Sequence, residues 1–179
     1  MPVQPPPSRR RGPSAMDLLR SLLPLVALIL VMVWLYSPAE VDPVREIDPG
    51  SDLAYAASIA DFDVLGAGDL PEGWRPTSSR VEPATEGGPV GVSVGYVTPS
   101  QEFARVVHSS LPEVRLLTEV LGEGYAEGGV TADGWRGFRT ADGEQALVRS
   151  EEGSTVIVTG SAAEAELRVL AGALRPIGG

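Results

Sequence analysis

The chain has no cysteine, no lysine and a single histidine, His108. Without cysteine there can be no disulfide bond, zinc–thiolate centre, cysteine nucleophile or lipid-modified cysteine. Without lysine, every catalytic role of that side chain is excluded as well. The sequence therefore rules out several classes of site before any motif is considered.

Positive charge is scarce outside the amino terminus. Residues 1–20 carry four arginines and one acid, whereas residues 40–179 carry ten arginines and 23 acids, a net charge of −13. A domain this acidic is repelled by phosphate backbones, so we expect no nucleic-acid partner. Solubility alone also explains an acidic surface.

One long uncharged apolar run interrupts the polar amino terminus. It extends from Leu22 to Tyr36 and reaches 19 residues if it is counted from Leu18, with Arg20 and Ser21 as interruptions. As a helix, 19 residues span roughly 28 Å, close to the ~30 Å hydrocarbon core of a bilayer. The pattern predicts a membrane anchor, with the amino terminus in the cytoplasm and the large domain outside. The anchor residues are Leu22, Leu25, Ile29, Val33, Trp34 and Tyr36.

A cleavable export signal is the alternative for the same segment. Ser37-Pro38-Ala39 supplies small residues at the recognition positions. The length of the run and the bulky rings of Trp34 and Tyr36 favour a retained anchor. The domain is expected outside the cytoplasm under both interpretations.

Composition divides the chain into four parts. We expect a disordered cytoplasmic tail at 1–15, a transmembrane helix at 16–37, a proline- and acid-rich linker at 38–52 and a domain at 53–179. About 130 residues are enough to bury a core without disulfides or a metal. "DLAYAASIADF" at the start of the domain predicts a short helix capped by Asp52.

Alternating and β-branched runs predict an antiparallel sheet. "WRPTSSRVE", "PVGVSVGYVT" and "EFARVVHS" are strand-like, and "GVT", "WRGFRT", "EQALVRS" and "STVIVTG" form a meander separated by Asp-Gly or Glu-Gly turns. Val90, Val92, Val94 and Tyr96 share one face. "TVIVTG" is apolar on both faces and is therefore predicted to be central.

Two further helices are predicted from capping-box patterns. Ser110 and Glu113 open the first, which Gly122 ends, with Val114, Leu117, Val120 and Leu121 as its apolar stripe. Ser161 and Glu164 open the second, whose buried stripe is Leu167, Leu170, Ala171 and Leu174. The predicted fold class is α+β, an antiparallel sheet packed with two to three helices.

The order of several segments resembles a known family. "SAMDLLRSLLPL", "YSPAEVDPVREIDP", "LPEGWRPTS", "VGYVTPS", "ALVRSEEGSTVIVTGSA" and "LRPI" are similar to an actinobacterial family of single-span membrane proteins with an extracytoplasmic domain of unknown function. The resemblance covers nearly the whole chain and carries no catalytic motif. At fold level, "LPEGW" and the final strand–helix ending in "LRP" resemble the PsbP-like sandwich, whose members mostly act as binding or accessory modules.

Catalytic motifs are weak. "GVSVG" matches the G-x-S-x-G pattern with Ser93 as nucleophile, but the valine alternation continues through it where a sharp turn and a helix are required. His108, at a strand end, is expected to be a packing or surface residue. Asp61, Asp63 and the pair Glu151-Glu152 lack the further ligands of a calcium loop. We therefore expect no metal and no cofactor.

Two tryptophan–arginine pairs are the candidate interaction surface. They are Trp74-Arg75 and Trp135-Arg136. Core packing is the alternative for each tryptophan. Aromatic and arginine residues are enriched at recognition surfaces. The sequence thus favours a membrane-anchored, extracytoplasmic accessory module that binds a membrane or cell-envelope protein, with a carboxylate-based enzyme acting on envelope material as the alternative.

Overall fold

The computed structural model describes residues 15–36, 45–84, 88–130, 134–151 and 153–178. The chain divides into two compact units, Met1–Pro43 and Val44–Gly179. The predicted tail lies outside the described residues except for Ala15, and the predicted linker does so up to residue 44.

The described part of the first unit is one helix, α1, Ala15–Tyr36. Of the predicted anchor residues, Leu22, Leu25 and Ile29 are exposed. The side chains of Val33, Trp34 and Tyr36 lie outside the described set. Among the residues that the structure describes, no helix is both long and apolar enough to cross a membrane. The membrane-spanning role of α1 stays a prediction.

The second unit is an α+β domain, as predicted. Its described helices are α2 Gly50–Ile59, α3 Glu113–Leu121 and α4 Glu164–Gly172. Its described strands are β1 Leu65–Ala67, β2 Arg75–Glu82, β3 Gly91–Val97, β4 Phe103–Ser109, β5 Ala126–Val130, β6 Arg136–Arg139, β7 Gln145–Glu151, β8 Ser154–Gly160 and β9 Leu174–Pro176.

Seven strands form one antiparallel sheet in the order β2-β3-β4-β8-β7-β6-β5. The prediction that "TVIVTG" is central is confirmed, because β8 occupies the middle position and pairs with β4 and β7. The predicted meander of the last four strands is confirmed, because β5, β6, β7 and β8 pair in succession. The chain leaves β4 through α3, begins again at the far edge with β5, and returns strand by strand until β8 closes against β4. The sheet is therefore two meanders joined by one long-range pairing.

The sheet has a core on each face. Val92, Val94 and Tyr96 of β3 point into the larger core, which α2 and α4 cover. The predicted shared face is confirmed for these three residues, and Val90, just before β3, is buried as well. Ile157 of the central strand points to the opposite face, into a smaller core covered by α3. Burying one such side chain contributes about 1.5–3 kcal/mol.

The three predicted side-chain caps are wrong. Asp52 lies in the first turn of α2, and the carboxylate that accepts the N–H of Gly50, at 2.9 Å, belongs to Asp48. Neither α3 nor α4 has a side-chain cap. The serines are engaged in tertiary contacts instead, because the Oγ of Ser110 accepts the N–H of Val90 and that of Ser161 accepts the N–H of Phe103. Long-range hydrogen bonds have replaced the local ones.

The buried stripe of α3 also differs from the prediction. Leu116, Leu117 and Leu121 are buried, whereas Val114 is 70% exposed. Gly122 ends the helix as predicted. In α4, the predicted Leu167, Leu170 and Ala171 are buried, and Leu174 is buried at the start of β9. β9 pairs with β1 in a separate two-stranded sheet, which the sequence did not predict.

Candidate functional site

Trp135 is the predicted interaction residue that lines the candidate site. It immediately precedes β6, is 4% exposed and belongs to the larger core. The guanidinium of Arg149, on β7, lies over its ring at 4.7 Å from the centroid. This is cation–π geometry. Trp135 therefore pairs with an arginine, but not with its sequence neighbour.

Arg136 lies on the opposite face because successive residues of a strand alternate. Its Nη2 is 2.5 Å from Oε2 of Glu113 in α3, and the Oγ of Ser150 donates to the same oxygen. Hydrogen bonds from Arg136 and then Ser150 lower the pKa of Glu113. Arg136 thus fixes the start of α3 to the sheet and does not extend a surface formed by Trp135.

Trp74 and Arg75 lie elsewhere. Trp74 is half-buried and packs edge-on against Tyr96, with the ring centroids 6.3 Å apart. Arg75 donates from Nη2 to Oε1 of Gln101 at 3.2 Å. The structure consequently does not bring the four predicted interaction residues together on one surface. Trp135 alone belongs to the site described next.

A cavity of about 150 Å³ opens where α4 packs on β7. We call it the arginine cavity. Three of its described lining residues are guanidinium-bearing and the others are apolar or glycine. They are Arg149, Arg168 and Arg175, with Trp135, Leu147, Ala171, Gly172 and Leu174.

Each arginine of the cavity is held in place by a different contact. Arg149 is stacked on the indole. Arg168 pairs with Glu164, one turn earlier on the exposed side of α4. Arg175 donates from Nη1 to the carbonyls of Gly172 and Leu174, at 2.8 and 2.7 Å. In the part of the chain that the structure describes, each guanidinium retains N–H groups without a protein acceptor.

The Nε–H of Arg149 is a buried donor without a hydrogen bond. Oε1 of Glu151 lies 3.1 Å from this nitrogen. The atom is nevertheless buried and makes no hydrogen bond of good geometry, since the carboxylate lies off the N–H direction. Buried donors of this kind usually have an acceptor.

The sequence contains one signal for this site. In "EQALVRS", Arg149 is two residues after Leu147 and so shares its core-facing side. A charged residue on a core-facing position of a strand needs a partner or a cavity. Arg168 and Arg175 gave no such signal, because both lie on exposed positions.

A second cavity lies on the opposite face of the sheet, beside α3. It has about 140 Å³ and is lined by residues of mixed charge, among them Glu82, Arg105 and Glu119. Ser93 also lines it. Ser93 lies in the middle of β3, paired with Arg80 and Val107, so the sharp turn of a nucleophile elbow is absent.

His108 is a core residue, one of the two interpretations made from the sequence. It is 1% exposed, and its ring lies 4.6 Å from that of Phe62. The N–H of Leu65 donates to Nδ1 at 3.2 Å, so Nε2 carries the proton and donates to Oγ of Ser154 at 3.0 Å. Burial, and then the charge of Arg149, lower its pKa to about 4. Both nitrogens are occupied by structural hydrogen bonds.

The acidic pairs form no metal site within the described residues. No group of three metal-binding side chains occurs there. Asp61 and Asp63 are in the loop after α2. Glu151 ends β7, and Glu152 lies outside the described residues.

The fold and cavities define a small α+β domain with an arginine-lined surface cavity. A family model described as "Protein of unknown function (DUF4245)" matches residues 10–174, and the chain belongs to this family. The actinobacterial origin and the PsbP-like sandwich remain predictions. No curated protein matches the chain.

Among solved structures, the chain is similar to one chain of a crystal structure of MucB in complex with MucA(peri). The identity is 14%, the match covers 67% of this chain and the TM-score is 0.37. The match spans 38% of the length of that chain.

Proposed function

We propose that the chain is an extracytoplasmic accessory module that is held at the cell membrane by its first helix and acts by binding a membrane or cell-envelope protein. The anchor part of the proposal rests on the sequence, namely the apolar run that ends at Tyr36 and the arginines that precede it. It places the amino terminus in the cytoplasm and the domain outside.

The observation that carries the binding role is the arginine cavity. It combines an aromatic ring with three guanidinium groups, the two side-chain types most enriched at binding hot spots. Val169, 42% exposed, lies on the same helix as Arg168 and lines an adjoining cavity that also includes Arg175. Apolar and cationic groups thus lie side by side on this surface.

The enzymatic alternative receives no comparable support from the described residues. Glu82 and Glu119 both line the cavity beside α3, and both are exposed. A carboxyl group that acts as a general acid usually occupies an apolar, buried position. Among the described carboxylates a shifted pKa occurs at Glu113, where the shift is downward.

Site-specific photo-crosslinking in the native cell tests the binding role. A photoreactive residue at Val169, beside the arginine cavity, is expected to yield discrete adducts with a small number of proteins. The matched control is the same residue at Val114, which is 70% exposed on α3, over the other face. Adducts from both positions, or from neither, would contradict a binding surface at α4.

A chain in which a cleavable export signal replaces residues 1–43, so that the domain is still exported but released, tests the contribution of tethering. If the anchor holds the domain close to its partner, removing it lowers the effective concentration and the Val169 adducts are lost. If the adducts persist at the same yield, tethering is not required for binding.

A further inference from the structure

We infer that the arginine cavity is an anion-binding site that takes one oxyanion group, a phosphate or a carboxylate. The inference rests on the proposed function in that it names the chemistry recognised at the same surface. Both ligand groups carry negatively charged oxygens, and these accept hydrogen bonds from the N–H groups of guanidinium side chains.

The distribution of charge around the arginine cavity favours a bound anion. The chain is strongly acidic, with 24 acids and 14 arginines. Three of those arginines nonetheless line one cavity, and no carboxylate is among the lining residues that the structure describes. The cavity beside α3 differs, because two glutamates accompany its arginine. Glu164 and Glu151 lie beside Arg168 and Arg149 from outside the lining, which leaves the cluster with a net positive charge that a bound anion would neutralise.

Two arginines of the cavity are already held in place before a ligand binds. The ring of Trp135 supports Arg149, and two backbone carbonyls at the end of α4 hold Arg175. Side chains that are already ordered lose less conformational entropy when a ligand binds. The buried Nε–H of Arg149, without a well-placed acceptor, is a donor that such a ligand would help to satisfy.

The volume of the arginine cavity suits a small charged group. Pockets for drug-sized ligands have roughly 300–1,000 Å³. At about 150 Å³, the arginine cavity accommodates a single small group. That matches the charged end of a larger molecule whose remainder stays outside. Phosphate on a lipid or envelope polymer and carboxylate on a protein segment both meet this description.

The test uses the full chain, isotope-labelled and held in zwitterionic detergent micelles at low salt. Inorganic phosphate and acetate are titrated separately, and the indole N–H signal of Trp135 is followed, with Trp74 as internal reference. Trp135→Phe assigns the signal. We expect saturable shifts of the Trp135 signal with at least one of the two anions and no change at Trp74. The preferred anion then distinguishes a phosphate source from a carboxylate source.

Two double variants with identical changes in charge make the test specific. Arg168→Gln with Arg175→Gln removes two exposed cavity arginines, whereas Arg80→Gln with Arg115→Gln removes two exposed arginines outside the cavity. We expect at least tenfold weaker binding in the first and less than a twofold change in the second, since each charged hydrogen bond is strong. Equal weakening would show non-specific charge screening and overturn the inference.

The failure of this inference is distinguishable from the failure of the proposed function. If neither anion shifts the Trp135 signal, or if the cavity variant binds like the wild type, the site is not an anion site. Crosslinking from Val169 then still reports whether the surface binds a partner. If the anions bind but no adduct forms, the anion site stands and the protein-binding role falls.

Discussion

Arg105, on strand β4, donates a hydrogen bond from Nη2 to the carbonyl oxygen of Val120 in the last turn of α3, at 3.2 Å. The helix itself has no basic residue in that turn. A cation near the carboxyl end of a helix is favourable because it satisfies a free carbonyl and opposes the negative end of the helix dipole. The sheet thus supplies to α3 a cation that its own sequence lacks.

Replacing this arginine should destabilise the domain through α3. We expect Arg105→Met, which keeps the apolar stem, to lower the free energy of unfolding by about 1–2 kcal/mol. Urea denaturation followed by circular dichroism measures the change. Arg115→Met, at an exposed position on the same helix, serves as control and should change stability by less than about 0.5 kcal/mol. Equal effects would show that the contact with Val120 contributes nothing.

The burial of His108 makes stability depend on pH. Above pH 6.5 the imidazole is neutral in the folded and the unfolded chain. Between pH 6.5 and about 4, the unfolded chain binds a proton that the folded chain does not. Stability therefore falls as the pH falls through this window, by about 2 kcal/mol between pH 7.5 and 5 from this residue alone.

Because His108 is the only histidine, its imidazole signals are unambiguous in NMR spectra. A titration of the folded chain should show a neutral ring down to about pH 4, with the proton on Nε2. Denaturation at pH 7.5 and 5 should show a steeper loss of stability in the wild type than in His108→Gln. A folded-state pKa near 6.5 would contradict the buried placement.

Gly160, at the end of β8, cannot carry a side chain in its present conformation. Its φ is +149°, and a Cβ there would lie 2.2 Å from the carbonyl oxygen of Phe103 and 2.9 Å from Cα of Ala104. Both are backbone atoms on the neighbouring strand β4. The strands would have to separate locally to admit even a methyl group.

We expect Gly160→Ala to cost roughly 3 kcal/mol or more, through steric overlap and positive φ together. Gly153→Ala, in the β7–β8 turn, is the matched control. Gly153 has a φ of +88° with open space around its Cβ, so its cost is the conformational one of about 1–2 kcal/mol. Thermal unfolding of both variants gives the comparison. Similar losses of stability in the two variants would show that the cost comes from the positive φ alone and not from steric overlap with β4.

The parts of the fold that the sequence predicted are those in which local pattern and tertiary packing agree. Alternation located the buried face of β3, and an apolar run on both faces located the central strand β8. The starts of α3 and α4 were misplaced because their serines accept hydrogen bonds from the distant backbone N–H groups of Val90 and Phe103 instead of from the helix. A capping-box pattern takes into account only hydrogen bonds between a side chain and the nearby backbone, so it does not anticipate a distant backbone partner.

The arginine cavity could not be predicted from local sequence patterns, for a different reason. Its arginines come from β7, from α4 and from β9, and they meet only because α4 packs on the sheet. Proximity in the sequence suggested Trp135 with Arg136, whereas strand alternation places them on opposite faces. In the β6–β7 hairpin Arg136 pairs with Val148, so the same register places Arg149 opposite Trp135.

The proposed membrane anchor can be tested separately. We expect the protein to stay with membranes after alkaline carbonate extraction and to keep residues before Glu40 at its amino terminus. Replacing both Leu25 and Ile29 by arginine should release it or block insertion, because each arginine near the centre of a span costs about 2.5–3.5 kcal/mol. Ser21→Arg, near the predicted inner edge, should have little effect because a long side chain there can reach the headgroups. Mature protein that begins at Glu40 and is found in the soluble fraction would show instead that the segment is a cleaved export signal.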